Sequence, residues 1–80
     1  MTITELAKEL SEMYENAEKG EIPTMVHLFG IRYSKYIVEY NYSVRDIINS
    51  THLKDGSSIT HGYETELRKG IKLAKYVKEI

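Results

Sequence analysis

Helical periodicity constrains this chain more than any other feature, because apolar residues recur at spacings of three and four along most of its 80 residues. The periodic segments are bounded by residues that cap or stop helices. The predicted helices cover residues 4–19, 24–40, 43 to about 50, and 60–78. We therefore expect an all-α fold: a compact four-helix domain in which residues 1–42 support a C-terminal unit formed by residues 43–80.

The first two helices have recognisable ends. Thr2 or Thr4 is expected to cap the first helix, and Gly20 to stop it. Thr24, which follows a proline, is expected to open the second helix, which Asn41 ends in the left-handed conformation. A glycine lies inside that helix, at position 30. It marks either a close approach of two helices or a break, and we favour one continuous helix.

The last two helices are joined by a polar segment. Ser43 is expected to cap the third helix, in a near capping box with Asp46. The pair Asp55-Gly56 predicts a turn, after which Ile59 returns to the core. The cap of the fourth helix is expected at one of three hydroxyl residues, Ser57, Ser58 or Thr60.

Composition excludes several classes of site. A chain of 80 residues forms one domain and buries about 60–65% of its unfolded surface. The absence of cysteine excludes disulfides, thiolate nucleophiles and cysteine-based zinc sites. The three histidines, His27, His52 and His61, lack the spacing of a helical zinc site. We therefore expect no metal, no cofactor and no enzyme activity.

Charge is unevenly distributed along the chain. The net charge of −1 and the pI near 6.3 argue against a general electrostatic nucleic-acid binder. Residues 1–40 carry a net charge of −3, whereas residues 41–80 carry +2. No segment resembles a signal peptide or has the roughly 18 apolar residues of a membrane span. A cytoplasmic protein whose positive charge lies in its C-terminal half is expected.

The C-terminal half resembles a known DNA-binding pattern. It is similar to the helix-turn-helix of bacterial and phage DNA-binding proteins. The residues that carry the resemblance are Ser43-Val-Arg-Asp-Ile-Ile to Leu53, a turn, then Ile59 and Gly62-Tyr-Glu-Thr-Glu-Leu-Arg-Lys. The phrase His27-Leu-Phe-Gly-Ile-Arg-Tyr is also similar to the start of a family of small, uncharacterised bacterial helix-turn-helix-like proteins.

The resemblance implies roles for particular positions. In that family the first helix packs across the DNA backbone and the second lies in the major groove. The implied packing positions are Ile47, Ile48, Leu53, Ile59, Tyr63 and Leu67. The expected DNA-contacting residues, with Glu64 on the same face, are Arg45, Lys54, Ser57, Ser58, Thr60, His61, Thr65, Arg68, Lys69 and Lys72.

Two features depart from the pattern. The connection from Ser50 to Thr60 is longer than the three to four residues typical of the motif. The start of the last helix is acidic, with Glu64 and Glu66, and an acid near phosphates usually lowers affinity. The positive charge follows later, at Arg68, Lys69, Lys72 and Lys75. We therefore expect more phosphate contact from the middle of this helix than base contact from its start.

The functional hypothesis is duplex DNA binding by a homodimer, as a small transcriptional regulator. The dimer surface is expected on the first helix or at the end of the last, with Tyr76 and Ile80. The alternative is a protein-interaction module that uses the apolar face of the last helix and binds no nucleic acid. Four tyrosines between positions 33 and 42 favour a core face over a base-stacking surface.

Overall fold

The computed structural model describes residues 1–77, which form four α-helices and no strand. The helices are α1 (Ile3–Glu15), α2 (Ile22–Glu39), α3 (Val44–Asn49) and α4 (Glu64–Leu73). A short 3-10 turn at His61–Tyr63 leads directly into α4. The predicted all-α, four-helix fold is confirmed. No helix in residues 1–77 is long and apolar enough to cross a membrane.

Helix α1 begins with a complete capping box. The Thr2 hydroxyl accepts a hydrogen bond from the Glu5 N–H at 3.1 Å, and the Glu5 carboxylate accepts one from the Thr2 N–H at 2.8 Å. The predicted end at Lys19 was wrong, because α1 ends at Glu15. The following residues hold a single apolar side chain, so a longer helix would bury almost nothing. Gly20, at φ +84°, instead forms part of the turn that leads into α2.

Helix α2 is continuous through Gly30, as predicted. It begins at Ile22, so the expected cap at Thr24 was wrong. Pro23 occupies the second helical position, where the N–H that proline lacks would have no partner inside the helix. Asn41 follows the helix with φ +53°, which confirms the left-handed end.

Two glycines bring α2 and α4 into backbone contact. A Cβ atom added to Gly30 would lie 2.8 Å from the Leu67 carbonyl oxygen and 2.9 Å from the Gly70 Cα. A Cβ atom added to Gly70 would collide with the backbone of His27. Of the two explanations for the glycine in α2, close helix approach is therefore the right one. This crossing is the most extensive helix–helix contact of the domain and sets the position of α4.

The core lies between α1, α2 and the C-terminal unit. Its largest fully buried side chains are Leu6, Leu10, Val26, Phe29, Ile47, Ile48, Ile59, Leu67 and Thr51. Four predicted packing positions are among them, and the other two, Leu53 and Tyr63, are partly buried. The expected tyrosine core face was wrong for Tyr36 and Tyr40, which are exposed, because Phe29 and Ile37 provide the buried face of α2.

The segment between α3 and α4 is ordered by hydrogen bonds. Ser43 caps α3 by accepting from the Asp46 N–H at 3.3 Å. Gly56, at φ +88°, confirms the predicted turn. The N–H of Ile59, which is buried as predicted, donates to the buried hydroxyl of Thr51 at 2.9 Å. The long connection is therefore a compact structural part of the domain.

The last helix differs from its prediction at both ends. Thr60 holds the cap position of the 3-10 turn that continues into α4, but none of the three expected hydroxyls makes a capping hydrogen bond, and Tyr63 precedes the first α-helical residue. The helix ends at Leu73, and i to i−3 hydrogen bonds tighten residues 74–76 into a turn. Tyr76 and Val77 are exposed, so no packing holds a longer helix there. The predicted end at Lys78 and the dimer residue Ile80 lie outside the described residues.

Candidate nucleic-acid interface

The first residue of α4 is a buried acid that binds two arginines. Glu64 is only 7% exposed, although the sequence placed it among the DNA-facing residues. Its Oε2 accepts from Arg45 Nε at 3.2 Å, and its Oε1 accepts from Arg68 Nη1 at 3.3 Å. Arg45 comes from α3 and Arg68 from the next turn of α4. The carboxylate thus joins the two helices of the C-terminal unit.

The environment of Glu64 favours its charged form. Burial by itself raises the pKa of this carboxyl group, but the charges and hydrogen bonds of Arg45 and Arg68 together outweigh burial. The net result is a pKa below the ordinary value for glutamate. Glu64 is therefore an ionised part of the α3–α4 junction at neutral pH.

The second acid of α4 is also engaged by another helix. Glu66 Oε2 lies 2.5 Å from Nε2 of His27, a residue of α2, and Oε1 lies 4.0 Å from Lys69 Nζ. The His27 nitrogen is buried and makes no hydrogen bond, so its contact with Glu66 is a close polar approach. Glu66 is thus held against α2 and the flank of α4.

The outer face of α4 is cationic as a result. Thr65, Arg68, Lys69 and Lys72 are all exposed, and their spacing places them on one side of the helix. Lys75 follows in the turn after the helix and is exposed as well. Within the described residues, every charged side chain of α4 that is exposed is basic, because Glu64 is buried and Glu66 is partly buried. The predicted acidic start is therefore absent from the outer face.

Several expected contact residues meet at the junction of α3 with the 3-10 turn. His61 Nε2 lies 2.5 Å from Asn49 Oδ1, and Ser58 Oγ donates to the Thr51 carbonyl at 2.9 Å. Asn49 is one turn of α3 beyond Arg45, so this polar cluster adjoins the Arg45–Glu64–Arg68 group. The fold thereby brings Arg45, Ser58, His61 and Arg68 into neighbouring positions.

Lys54 and Ser57 lie elsewhere, beside the acidic helix α1. The backbone N–H of Lys54 donates to the Glu15 carboxylate at 2.7 Å, and Ser57 bonds the Asp55 carboxylate through both its hydroxyl and its N–H. The Ser57 hydroxyl and N–H hold the pKa of Asp55 below its usual value. Thr60 lines the same hollow between the loop and α1. These residues are exposed but share their surroundings with two carboxylates.

Two elements of the surface were missed by sequence reasoning. Lys35 of α2 lines a hollow together with Lys72 and Lys75, and therefore extends the basic face of α4. No motif signals this, because the residues belong to different helices. The pairing role of Glu64 was also missed, although its spacing of four from Arg68 is typical of a helical ion pair.

The apolar side of α4 is largely occupied. Leu67 and Gly70 are buried and Ile71 is partly buried, because α2 packs against them. Leu73, Tyr76 and Val77 remain exposed at the C-terminal end. No group of three or more histidine, aspartate or glutamate side chains in residues 1–77 is arranged to hold a metal ion.

Comparison with known protein families places the chain in a family. Residues 2–80 match the family model described as an HTH-like domain, which covers nearly the whole chain. No curated protein and no solved structure matches the chain. The resemblance inferred from residues 43–69 is thereby confirmed and extends to the supporting helices. The chain belongs to the family of helix-turn-helix-like domains.

Proposed function

We propose that the protein binds duplex DNA through the outer face of α4, with the adjoining residues of α3. The observation that carries this proposal is the charge of that face, on which Arg68, Lys69 and Lys72 are exposed while both glutamates of the helix are turned inward. Lysine neutralises phosphate as a point charge, and arginine adds a planar fork of donors. The proposed role is binding, as a small transcriptional regulator, and not catalysis.

The distribution of cations favours backbone contact over base reading. The basic side chains begin in the second turn of α4 and continue to Lys75 and to Lys35 of α2. The residues at the start of the helix, by contrast, bond to one another within the protein. Phosphate contacts set affinity and orientation, whereas base contacts set sequence specificity. We therefore infer salt-sensitive binding with modest discrimination between sequences.

Fluorescence anisotropy with a labelled duplex of mixed sequence tests this function. Arg68→Ala and Lys72→Ala are each expected to weaken binding, and Lys72→Ala to reduce the salt slope by about 1, because it removes a separate phosphate contact. Lys19→Ala is the matched control, since it removes the same charge from the linker between α1 and α2. Absence of binding by the unaltered protein at roughly 100 μM in low salt would refute the proposal.

A homodimer is the second part of the proposal. One helix offers few phosphate contacts, so two copies on paired half-sites would bind more tightly than one. Leu73, Tyr76 and Val77 are exposed together at the end of α4 and form the proposed contact surface. Light scattering is expected to give twice the mass of one chain, and Tyr76→Ser to shift the protein toward monomer. A monomer at high concentration removes the dimer and leaves the DNA proposal in place.

A further inference from the structure

We propose that Arg45 and Arg68 form a clamp for a single DNA backbone phosphate, with Glu64 as the positioning residue that holds both guanidinium groups. The inference deepens the proposed DNA binding and rests on it. It assigns a role to the α3–α4 junction that differs from that of the lysines, which act as separate charges. We call the three residues the arginine clamp.

The geometry of the arginine clamp leaves donors available to a ligand. Each oxygen of the Glu64 carboxylate accepts from a different arginine, at 3.2 and 3.3 Å. Arg45 uses Nε for this contact and Arg68 uses Nη1, out of the five N–H donors that each guanidinium carries. The side chains of Arg45 and Arg68 are 63% and 55% exposed, so their other donors are accessible. Each guanidinium group is thus held by one N–H bond to Glu64 and keeps its other N–H donors available to a phosphate.

Because Glu64 already holds both arginine side chains, DNA binding has to immobilise fewer side-chain rotamers. A free arginine side chain on a surface loses rotamer freedom when a ligand immobilises it, and this loss weakens binding. Glu64 is 7% exposed and sits at the first position of α4, which the glycine crossing with α2 holds in place. Two arginines from different helices therefore share one rigid anchor. The one carboxylate and the two guanidinium groups together carry a net charge of +1, which attracts a phosphate.

The substitution Glu64→Gln separates this inference from simple electrostatics. It removes a negative charge next to the proposed phosphate, so a purely electrostatic role for Glu64 predicts tighter DNA binding. The arginine clamp predicts the opposite: about 3- to 10-fold weaker binding, because glutamine offers one acceptor oxygen in place of two, so one guanidinium loses its acceptor and the other keeps only an uncharged one. The measurement is anisotropy with the same labelled duplex at low salt, at a temperature where circular dichroism shows the variant folded. Glu12→Gln, on the exposed face of α1, is the matched control and is expected to lose no affinity.

The salt dependence supplies a second readout that needs no change at Glu64. Two arginines on one phosphate are expected to lower the salt slope by about 0.9 when both are replaced, as Arg45→Gln with Arg68→Gln, whose uncharged amides can still donate to Glu64. Arginines on separate phosphates would lower it by about 1.8. This variant keeps the inference testable if Glu64→Gln does not fold.

The outcomes distinguish the two proposals. Weaker binding by Glu64→Gln, or a slope change near 0.9 for the double variant, supports the arginine clamp. If the unaltered protein binds DNA while Glu64→Gln binds as tightly or more tightly, the clamp is refuted and the DNA function stands. A slope change near 1.8 likewise refutes the shared phosphate. If the unaltered protein does not bind DNA, the proposed function fails, and the clamp fails with it.

Discussion

Helices α1 and α4 have the same apolar periodicity, but their solvent-exposed faces carry opposite charge. Along α1, Glu5 and Glu12 are exposed to solvent, with Glu9 at the edge of the face. Along α4, Glu64 is buried and Glu66 is half-buried, and the outer face is left to basic residues. Periodicity alone predicts an acidic start for both helices. The difference shows that the charge of a helix surface depends on what packs behind the helix.

The cause lies in the neighbours of each helix. Glu64 meets Arg45 of α3, and Glu66 meets His27 of α2, so each acid of α4 has a cationic or protonatable partner on another element. A buried charge is tolerated only when it is paired and hydrogen-bonded, as Glu64 is with Arg45 and Arg68. The mode of packing differs as well: α1 packs through side chains such as Leu6 and Leu10, whereas α4 packs through the backbone of Gly70.

The largest expected effect on stability comes from disturbing the backbone contact between α2 and α4. Gly70→Ala places a Cβ atom against the backbone of His27, which cannot move aside as a flexible side chain can. In an open helix this change would stabilise by about 1 kcal/mol. Here we expect overpacking to lower the free energy of unfolding by about 1–3 kcal/mol, measured by urea or thermal denaturation.

Gly62→Ala is the matched control for that experiment. The nearest atom to a Cβ at this position is Thr60 Oγ1, at 3.8 Å, an ordinary contact. Its effect on the free energy of unfolding is expected to stay within about 0.5 kcal/mol. If Gly70→Ala proved as stable as this control, the backbone crossing would not be what positions α4.

A smaller effect is expected on how the free energy of unfolding changes at acidic pH. The pKa of Glu64 is lower in the folded protein than in the unfolded chain, so its contribution is complete above the unfolded pKa, about 4.3. That contribution is lost as the pH falls through the lower folded pKa. Glu64→Gln should therefore be less stable than the unaltered protein at neutral pH, and the difference should shrink below about pH 4.

Denaturation at a series of pH values measures this difference. Glu5 and Asp55 also have lowered pKa values, but both are present in the two proteins and cancel in the comparison. Glu12→Gln, which changes a carboxylate on the exposed face of α1, serves as the reference substitution. A stability difference that stays constant from neutral pH to about pH 3 would show that the charge of Glu64 adds nothing to the fold.

Much of the fold followed from local signals. The Thr2 and Ser43 caps, the turn at Gly56 and the left-handed Asn41 all depend on residues within a few positions of one another. Helix ends were predicted less well, since α1 and α4 stop where their apolar faces lose a packing partner. Whether a packing partner is present depends on elements distant in the sequence, and local helix propensity carries no information about them.

The candidate site was predictable in its composition but not in its arrangement. Basic residues on α4 could be assigned to one helix face from their spacing alone. The pairing of Arg45 with Glu64 spans 19 positions, and no local rule connects them. The same holds for Lys35, which joins the basic face only because α2 crosses α4.

The amino-acid sequence by itself determined the presence of four helices, the caps at Thr2 and Ser43 and most of the apolar faces, because these depend on backbone geometry and on interactions between near neighbours. The tertiary structure decided which charges reach the surface of α4. Gly30 and Gly70 let two backbones meet, and that contact places Glu66 against His27 while α3 brings Arg45 to Glu64. Because Glu64 is buried between two arginines and Glu66 is partly buried against His27, the charged side chains that α4 exposes are basic, so the basic face of α4 is a property of the folded chain.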